Sequence, residues 1–270
     1  ALLVNKIYKG DRRSYFKWLK ICVIAWFSHI FLDVFNTYGT GIFEPFSDIR
    51  ISYDAINVYD LIYLIPVLTL TILFVFVIKD YMKKITVAAI AITFSLMYII
   101  FAISVKLNTE INAQTQFVKQ DIYPVQASAS PLPMSSLAWQ VVVEYDEGYY
   151  VGIYYGFWKS KTNFKYVPKN KHLEKDFINY DNFRKFQHFT KNRYTLEQID
   201  GQVFMNDLRF TSLEEGKSAL SFPLHVHENS LEIGRTLLNR RITFKNVKEH
   251  WRRLTEKQHS FSGITRRPDA

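Results

Sequence analysis

The chain has 270 residues, of which 48% are hydrophobic and 22% charged, with a formal net charge of +9. This length allows one or two domains, and the single cysteine, Cys22, excludes an intramolecular disulfide and a cysteine-based zinc cluster. The charges are unevenly placed: long charge-free runs fill residues 1–105, whereas basic and acidic groups are spread evenly over 106–270. The first part therefore reads as membrane and the second as a soluble domain.

The chain opens on Ala1 without a charged start and cleavage-type signal, and it reads as truncated at its N-terminus. Three apolar segments follow: Trp18 to Phe35, Leu61 to Ile78 and Ile85 to Val105. A helix needs about 20 such residues to cross the hydrocarbon core. The second and third carry no charge, and Pro66 in the second is a tolerable kink within a bundle. The first is interrupted by Lys20, His29 and Asp33.

Orientation follows from the basic residues. Arg12, Arg13, Lys17 and Lys20 precede the first span, and Lys79, Lys83 and Lys84 lie between the second and third. The 36–60 loop is net acidic, with Glu44, Asp48, Asp54 and Asp60 against Arg50. The excess of basic residues puts both basic segments in the cytoplasm. The 36–60 loop and everything after Val105 then lie outside it.

Residues 106–138 begin with helical spacing and end in a Ser/Ala/Pro-rich linker. Alternation then takes over. Trp139 to Tyr145 and Tyr149 to Trp158 flank Asp146-Glu147-Gly148, which predicts a hairpin. Asp200-Gly201 predicts a second hairpin. A further strand is expected at Ala219 to Glu228, with helical patches at 171–189, 229–239 and 245–257 and a disordered tail from Phe261. The expected fold is a membrane α-helical part of about three transmembrane helices followed by a small soluble α+β domain. Its parts are 1–105 with the loop 36–60, a connector helix and linker over 106–138, and the soluble domain over 139–270.

The residues that bear chemistry begin at His29 and Asp33. Four apart, they share one helix face. A charged Asp at the centre of a bilayer costs roughly 2.5–3.5 kcal/mol on insertion scales, so such residues face a bundle interior or a water-filled cavity. Imidazole and carboxylate together suit a divalent metal such as zinc. The same spacing also fits a hydrogen-bonded pair that fixes helix packing, and spacing alone leaves both readings open. The loop that follows is long and punctuated by Gly39 and Gly41; long loops of this kind are often functional.

The stretch HIFLDVFNTYGTGIFEPFSDIR, followed by INVYD, resembles the signature of the YdjM-like family of LexA-binding, inner-membrane-associated, metal-dependent hydrolases. The residues that carry the resemblance are His29, Asp33, Tyr38, Gly39, Thr40, Pro45, Phe46, Ser47, Arg50, Asn57 and Asp60. Asp207 and Arg209 resemble a further Asp-x-Arg element. The family's early Thr-His and His-Arg-Gly-x-Thr-His-Ser segments do not occur here, and Leu61 stands where the family more often has proline. The resemblance implies a bacterial inner-membrane protein in which His29 and Asp33 bind a divalent metal such as zinc, with other ligands upstream. Asp54 or Asp60 would orient a metal-bound water or act as base, and Arg50 would hold an anionic group. The implied partners are membrane lipid and a small phosphoester substrate.

His225 and His227 alternate on the predicted strand and point the same way. No third ligand is close in sequence except Glu228, which would face the other side. Arg240, Arg241, Arg252 and Arg253 form basic patches, but no helix-turn-helix, zinc-finger or RNP pattern accompanies them, and no nucleic-acid partner is expected. There is no Walker loop, G-x-G-x-x-G or G-x-S-x-G. The competing reading is a non-enzymatic, membrane-anchored binding or regulatory protein with a protein partner. A transport component has little support, since the second and third spans contain no ionisable residue.

Overall fold

The computed structural model describes residues 2–7, 12–47, 49–133, 136–155, 162–212, 217–218, 220–227, 230–235 and 237–238. The expectations for Asp48, Trp158, Glu228, the 245–257 helix, the basic patches at 240–253 and the tail lie outside the described residues. Two compact units divide the chain, Ala1–Tyr53 and Asp54–Ala270.

The first unit contains α1 (Leu2–Ile7) and α2 (Arg12–Asp33). Helix α2 starts ahead of the apolar run because Ser14 to Lys17 continue the helical backbone without a breaker. Its apolar side chains are exposed, Ile24 at 66% and Trp26 at 60% among them. Exposure of this kind suits a helix whose solvent is lipid.

The second unit begins with α3 (Leu61–Ile72), prolonged by one π-helical turn, Leu73–Val77. Helix α4 (Tyr81–Val118) follows after a short connection. Each starts at an aspartate cap: Asp60 accepts from the Ile62 amide at 3.0 Å and Asp80 from the Lys83 amide at 2.9 Å, satisfying donors that a helix start leaves open. Among the described residues two helices are long and apolar enough to cross a membrane, Ser14–Asp33 and Tyr81–Val118, while Leu61–Val77 is a shorter apolar helix. The expected count of three thus rests on a third helix at the short limit of a span.

Helix α4 has 38 residues, about 57 Å at 1.5 Å per residue, whereas the hydrocarbon core is about 30 Å thick. The excess length forms part of the soluble domain. Ala102, Val105, Thr109, Ala113 and Phe117 are buried along one face, at the spacing expected of a packed helix. The sequence division at residue 105 therefore falls inside one continuous helix.

The C-terminal part of α4 packs on an antiparallel sheet of order β1-β2-β3-β4. Its strands are β1 (Gln126–Pro131), β2 (Ala138–Tyr145), β3 (Gly148–Tyr155) and β4 (Phe164–Pro168). The predicted hairpin is present as β2 and β3, paired from Tyr145↔Gly148 to Ala138↔Tyr155. Phe117, Ala129, Trp139, Val141 and Val143 form the core between helix and sheet. Gln116 and Thr162 exchange two hydrogen bonds, at 2.7 and 3.0 Å, which align the helix with the sheet.

Strand β1 corrects the linker reading of 106–138. Ala127 and Ala129 are buried on either side of the half-buried Ser128, and Ser130 and Pro131 are buried as well; the alanine methyl groups give only a faint hydrophobic signal. Those small side chains let α4 approach the sheet closely. Strand β4 also lies where no strand was expected.

A short 3-10 turn (Lys171–Asp176) and α5 (Asp181–Phe189) occupy most of the 171–189 helical patch. A second antiparallel sheet has the order β10-β9-β6-β5, with β11 also paired to β9. Its strands are β5 (Tyr194–Ile199), β6 (Gln202–Asp207), β9 (Leu220–His227), β10 (Ser230–Ile233) and β11 (Leu237–Leu238). A 3-10 turn (Leu208–Phe210) and the short pair β7 (Thr211–Ser212) and β8 (Lys217–Ser218) lie between β6 and β9. Asp200 and Gly201 take φ of 50° and 81°, the positive values that a two-residue hairpin turn requires. The helix expected over 229–239 is instead β10 and β11. Leu231 and Ile233 alternate toward the α5 core, so period two wins where the apolar spacing also allowed a helix. Leu208 packs on Val142, Tyr149 and Val151 of the first sheet, which joins the two sheets.

Candidate functional site

At the end of α2, His29 Nε2 lies 3.4 Å from Asp33 Oδ2, with side chains 74% and 40% exposed. The chain then turns on Asn36, whose side-chain amide donates to Asp33 Oδ1 at 3.4 Å. Asn36 Oδ1 in turn accepts from the Tyr38 and Gly39 amides at 2.9 and 3.0 Å, an Asx turn. Gly39 has φ of 81°, and a Cβ there would come 3.1 Å from Arg50 Cβ. Glycine is thus favoured by the positive φ, and a Cβ would also press on Arg50. Thr40 and Ile51 close the loop through reciprocal backbone bonds of 2.8 and 3.0 Å. Arg50 donates to the Gly39 carbonyl at 3.2 Å and to Glu44 at 3.4 Å. The Asn-Thr-Tyr-Gly-Thr and Arg positions therefore build a folded loop.

Asp54 and Asp60 belong to the second unit, and both are buried. Asp54 has φ of 53°. Its Oδ2 accepts from Lys191 Nζ at 2.8 Å and Arg193 Nη2 at 3.0 Å. Burial pushes the Lys191 ammonium below its ordinary pKa; Asp54 opposes that shift, and Arg193 and Arg209 add to it. Asn57 Oδ1 accepts from the Tyr59 amide at 3.0 Å, so Asn57-x-x-Asp60 forms a turn leading into a helix cap. Asp60 Oδ2 accepts from Tyr98 Oη at 2.7 Å and also from Ser136 Oγ. One carboxylate thereby joins the start of α3, the middle of α4 and the segment leading into β2.

Asp207 and Arg209 form a buried bidentate pair, with Nε to Oδ1 at 3.0 Å and Nη2 to Oδ2 at 2.6 Å. The Arg209 guanidinium stacks over Phe189 at 4.9 Å. Such a pair holds the β6 end in place.

The partners Lys191, Arg193, Tyr98 and Ser136 were not legible from spacing. Lys191 is separated from Asp54 by 137 positions and Ser136 from Asp60 by 76, and neither pair repeats a local pattern. Among the described residues no group of three or more His, Cys, Asp or Glu side chains stands in metal-holding geometry. His29 and Asp33 supply two donors where a catalytic zinc usually has three protein ligands; by themselves they do not complete a metal centre.

Apolar helices with exposed side chains, one of them running directly into a folded β domain, define a membrane-associated protein with a helical membrane part and a separate soluble β-sheet region. Residues 1–109 match the family described as YdjM inner membrane protein, and that part of the chain is similar to it. No curated protein and no solved structure matches the chain.

Proposed function

We propose that this inner-membrane protein is a membrane-anchored binding or regulatory module, whose β domain is the working part and whose helices hold it at the bilayer surface. The observation that carries this reading is the use made of Asp54 and Asp60. Each of these buried carboxylates is engaged by side chains of its own unit: Asp54 by Lys191 and Arg193, Asp60 by Tyr98 and Ser136. Asp60 thereby positions the start of α3 against the domain, and Asp54 ties the segment ahead of it to Lys191 and Arg193. The domain lies on the extracytoplasmic side, because Lys79, Lys83 and Lys84 mark the α3–α4 connection as cytoplasmic. Alkaline phosphatase fused after Leu238 would be active under this orientation, and an inactive fusion would reverse it.

A second reading has one observation in its favour, the approach of His29 to Asp33 at 3.4 Å. In it the protein is a metal-dependent hydrolase acting on a lipid or phosphoester at the membrane surface. His29 and Asp33 are two of its metal ligands, and Arg50, Asp54 and Asp60 serve catalysis. The two readings separate on full-length protein purified in detergent, by metal analysis and phosphoester hydrolysis of wild type and the His29→Ala/Asp33→Ala variant. Metal and hydrolysis lost together in the variant establish the enzyme. Equal metal in both, with no hydrolysis, leaves the binding module.

A further inference from the structure

The second sheet places three side chains of types that ligate metals on one face. His225 and His227 lie on β9 and Glu232 on β10. The register pairs His225 with Glu232 and His227 with Ser230. Alternate residues of a strand point to one face, and directly paired residues share that face. His225, His227 and Glu232 therefore rise from the same side of the sheet. The other side holds the core, where Leu224 and Leu231 are buried. All three polar side chains are exposed. His227 Nε2 already approaches Glu232 Oε2 at 3.5 Å. The His225 imidazole leans over Gly234, where a Cβ would come 3.3 Å from its Nε2. The ring thus lies toward the chain just past the end of β10, two residues beyond Glu232.

We propose that His225, His227 and Glu232 form a site for a first-row divalent metal, zinc by donor chemistry. Two neutral imidazoles and one carboxylate are a ligand set that zinc accepts, with bonds of about 2.0–2.2 Å, leaving a fourth position open. Paired Cβ atoms stand about 4.5–5.5 Å apart, and diagonal ones about 7–8 Å. The strand register sets the backbone at these spacings, and imidazole and carboxylate arms reach a common point from them. The three groups do not stand in metal-holding geometry in this structure, so binding requires their exposed side chains to rotate toward one another. The open position faces outward, where water or a donor group of a partner would complete the coordination. This site is separate from the His29–Asp33 pair and does not depend on the metal reading of it.

The test is calorimetric titration of Zn²⁺ into full-length, chelator-stripped protein in detergent. Wild type and the variants His225→Ala, His227→Ala, Glu232→Gln and His29→Ala are compared, with circular dichroism to check the fold of each. The expected result is one equivalent weakened by an order of magnitude or more in both histidine variants, weakened less in Glu232→Gln and unchanged in His29→Ala. If His29–Asp33 also binds, a second equivalent disappears only in His29→Ala. The proposal is overturned by absence of saturable binding, or by binding that His225→Ala and His227→Ala leave intact.

Discussion

Replacing Asp54 by Asn removes one negative charge from between two cations while keeping a side chain that tolerates the φ of 53° at that position. Asp54 is 3% exposed in its side chain, Arg193 14% and Lys191 28%. Breaking a fully buried ion pair by removing one partner costs about 3–5 kcal/mol. Partial hydration of Lys191 and the amide acceptor that remains reduce this to about 2–4 kcal/mol. For a unit of this size each kcal/mol shifts the melting temperature by about 2–4 °C, so a fall of roughly 4–16 °C is expected. The assay is thermal unfolding of full-length protein in detergent, followed by tryptophan fluorescence, since Trp139 sits in the sheet core. The double variant Asp54→Asn/Lys191→Met should recover part of the loss, because the orphaned ammonium goes with it, and the coupling should be about 0.5–3 kcal/mol. A shift within the error of wild type, or strict additivity of the two substitutions, would refute the view that this carboxylate clamps the domain.

The alkaline limb offers an independent check. Burial raises the phenols of Tyr149 and Tyr194 above their ordinary value of 10.0. A raised folded-state pKa contributes stability that is complete below the unfolded value and is lost as pH climbs through the folded one, so unfolding measured by urea should ease only above about pH 10. Tyr149→Phe, which loses the 2.7 Å bond to the Asn192 carbonyl, should flatten that fall; an unchanged pH profile would remove Tyr149 from the account. Tyr98→Phe and Ser136→Ala each strip one donor from the buried Asp60 carboxylate, and each should cost about 1–3 kcal/mol in the same melts. Gly39→Ala puts a Cβ at positive φ and 3.1 Å from Arg50; at about 1–2 kcal/mol of strain it should speed proteolysis within residues 34–53 and leave the β domain's melting unchanged.

The membrane part was legible because its signal is local. Uninterrupted apolar length, the basic residues at its ends and the compact motif around Gly39 and Thr40 can all be read without knowing what packs on what. The two hairpins were legible for the same reason: Asp146-Glu147-Gly148 and Asp200-Gly201 announce turns, and alternating apolar residues flank them. The alanine-rich strand β1 was not, because a methyl group contributes little hydrophobic contrast. Nor was the strand pair over 230–238, where the apolar spacing satisfied two periods at once.

Residue identity alone determined which groups were chemically capable: two loop aspartates, a histidine–aspartate turn, a His-x-His strand. Their employment was decided in three dimensions. Asp54 and Asp60 find their hydrogen-bond partners only because Lys191, Arg193, Tyr98 and Ser136 arrive from remote points of the chain. Glu232 joined His225 and His227 through strand pairing alone. Side-chain capability is a property of one residue, whereas protonation, occupancy and reach depend on neighbours that only the folded backbone supplies.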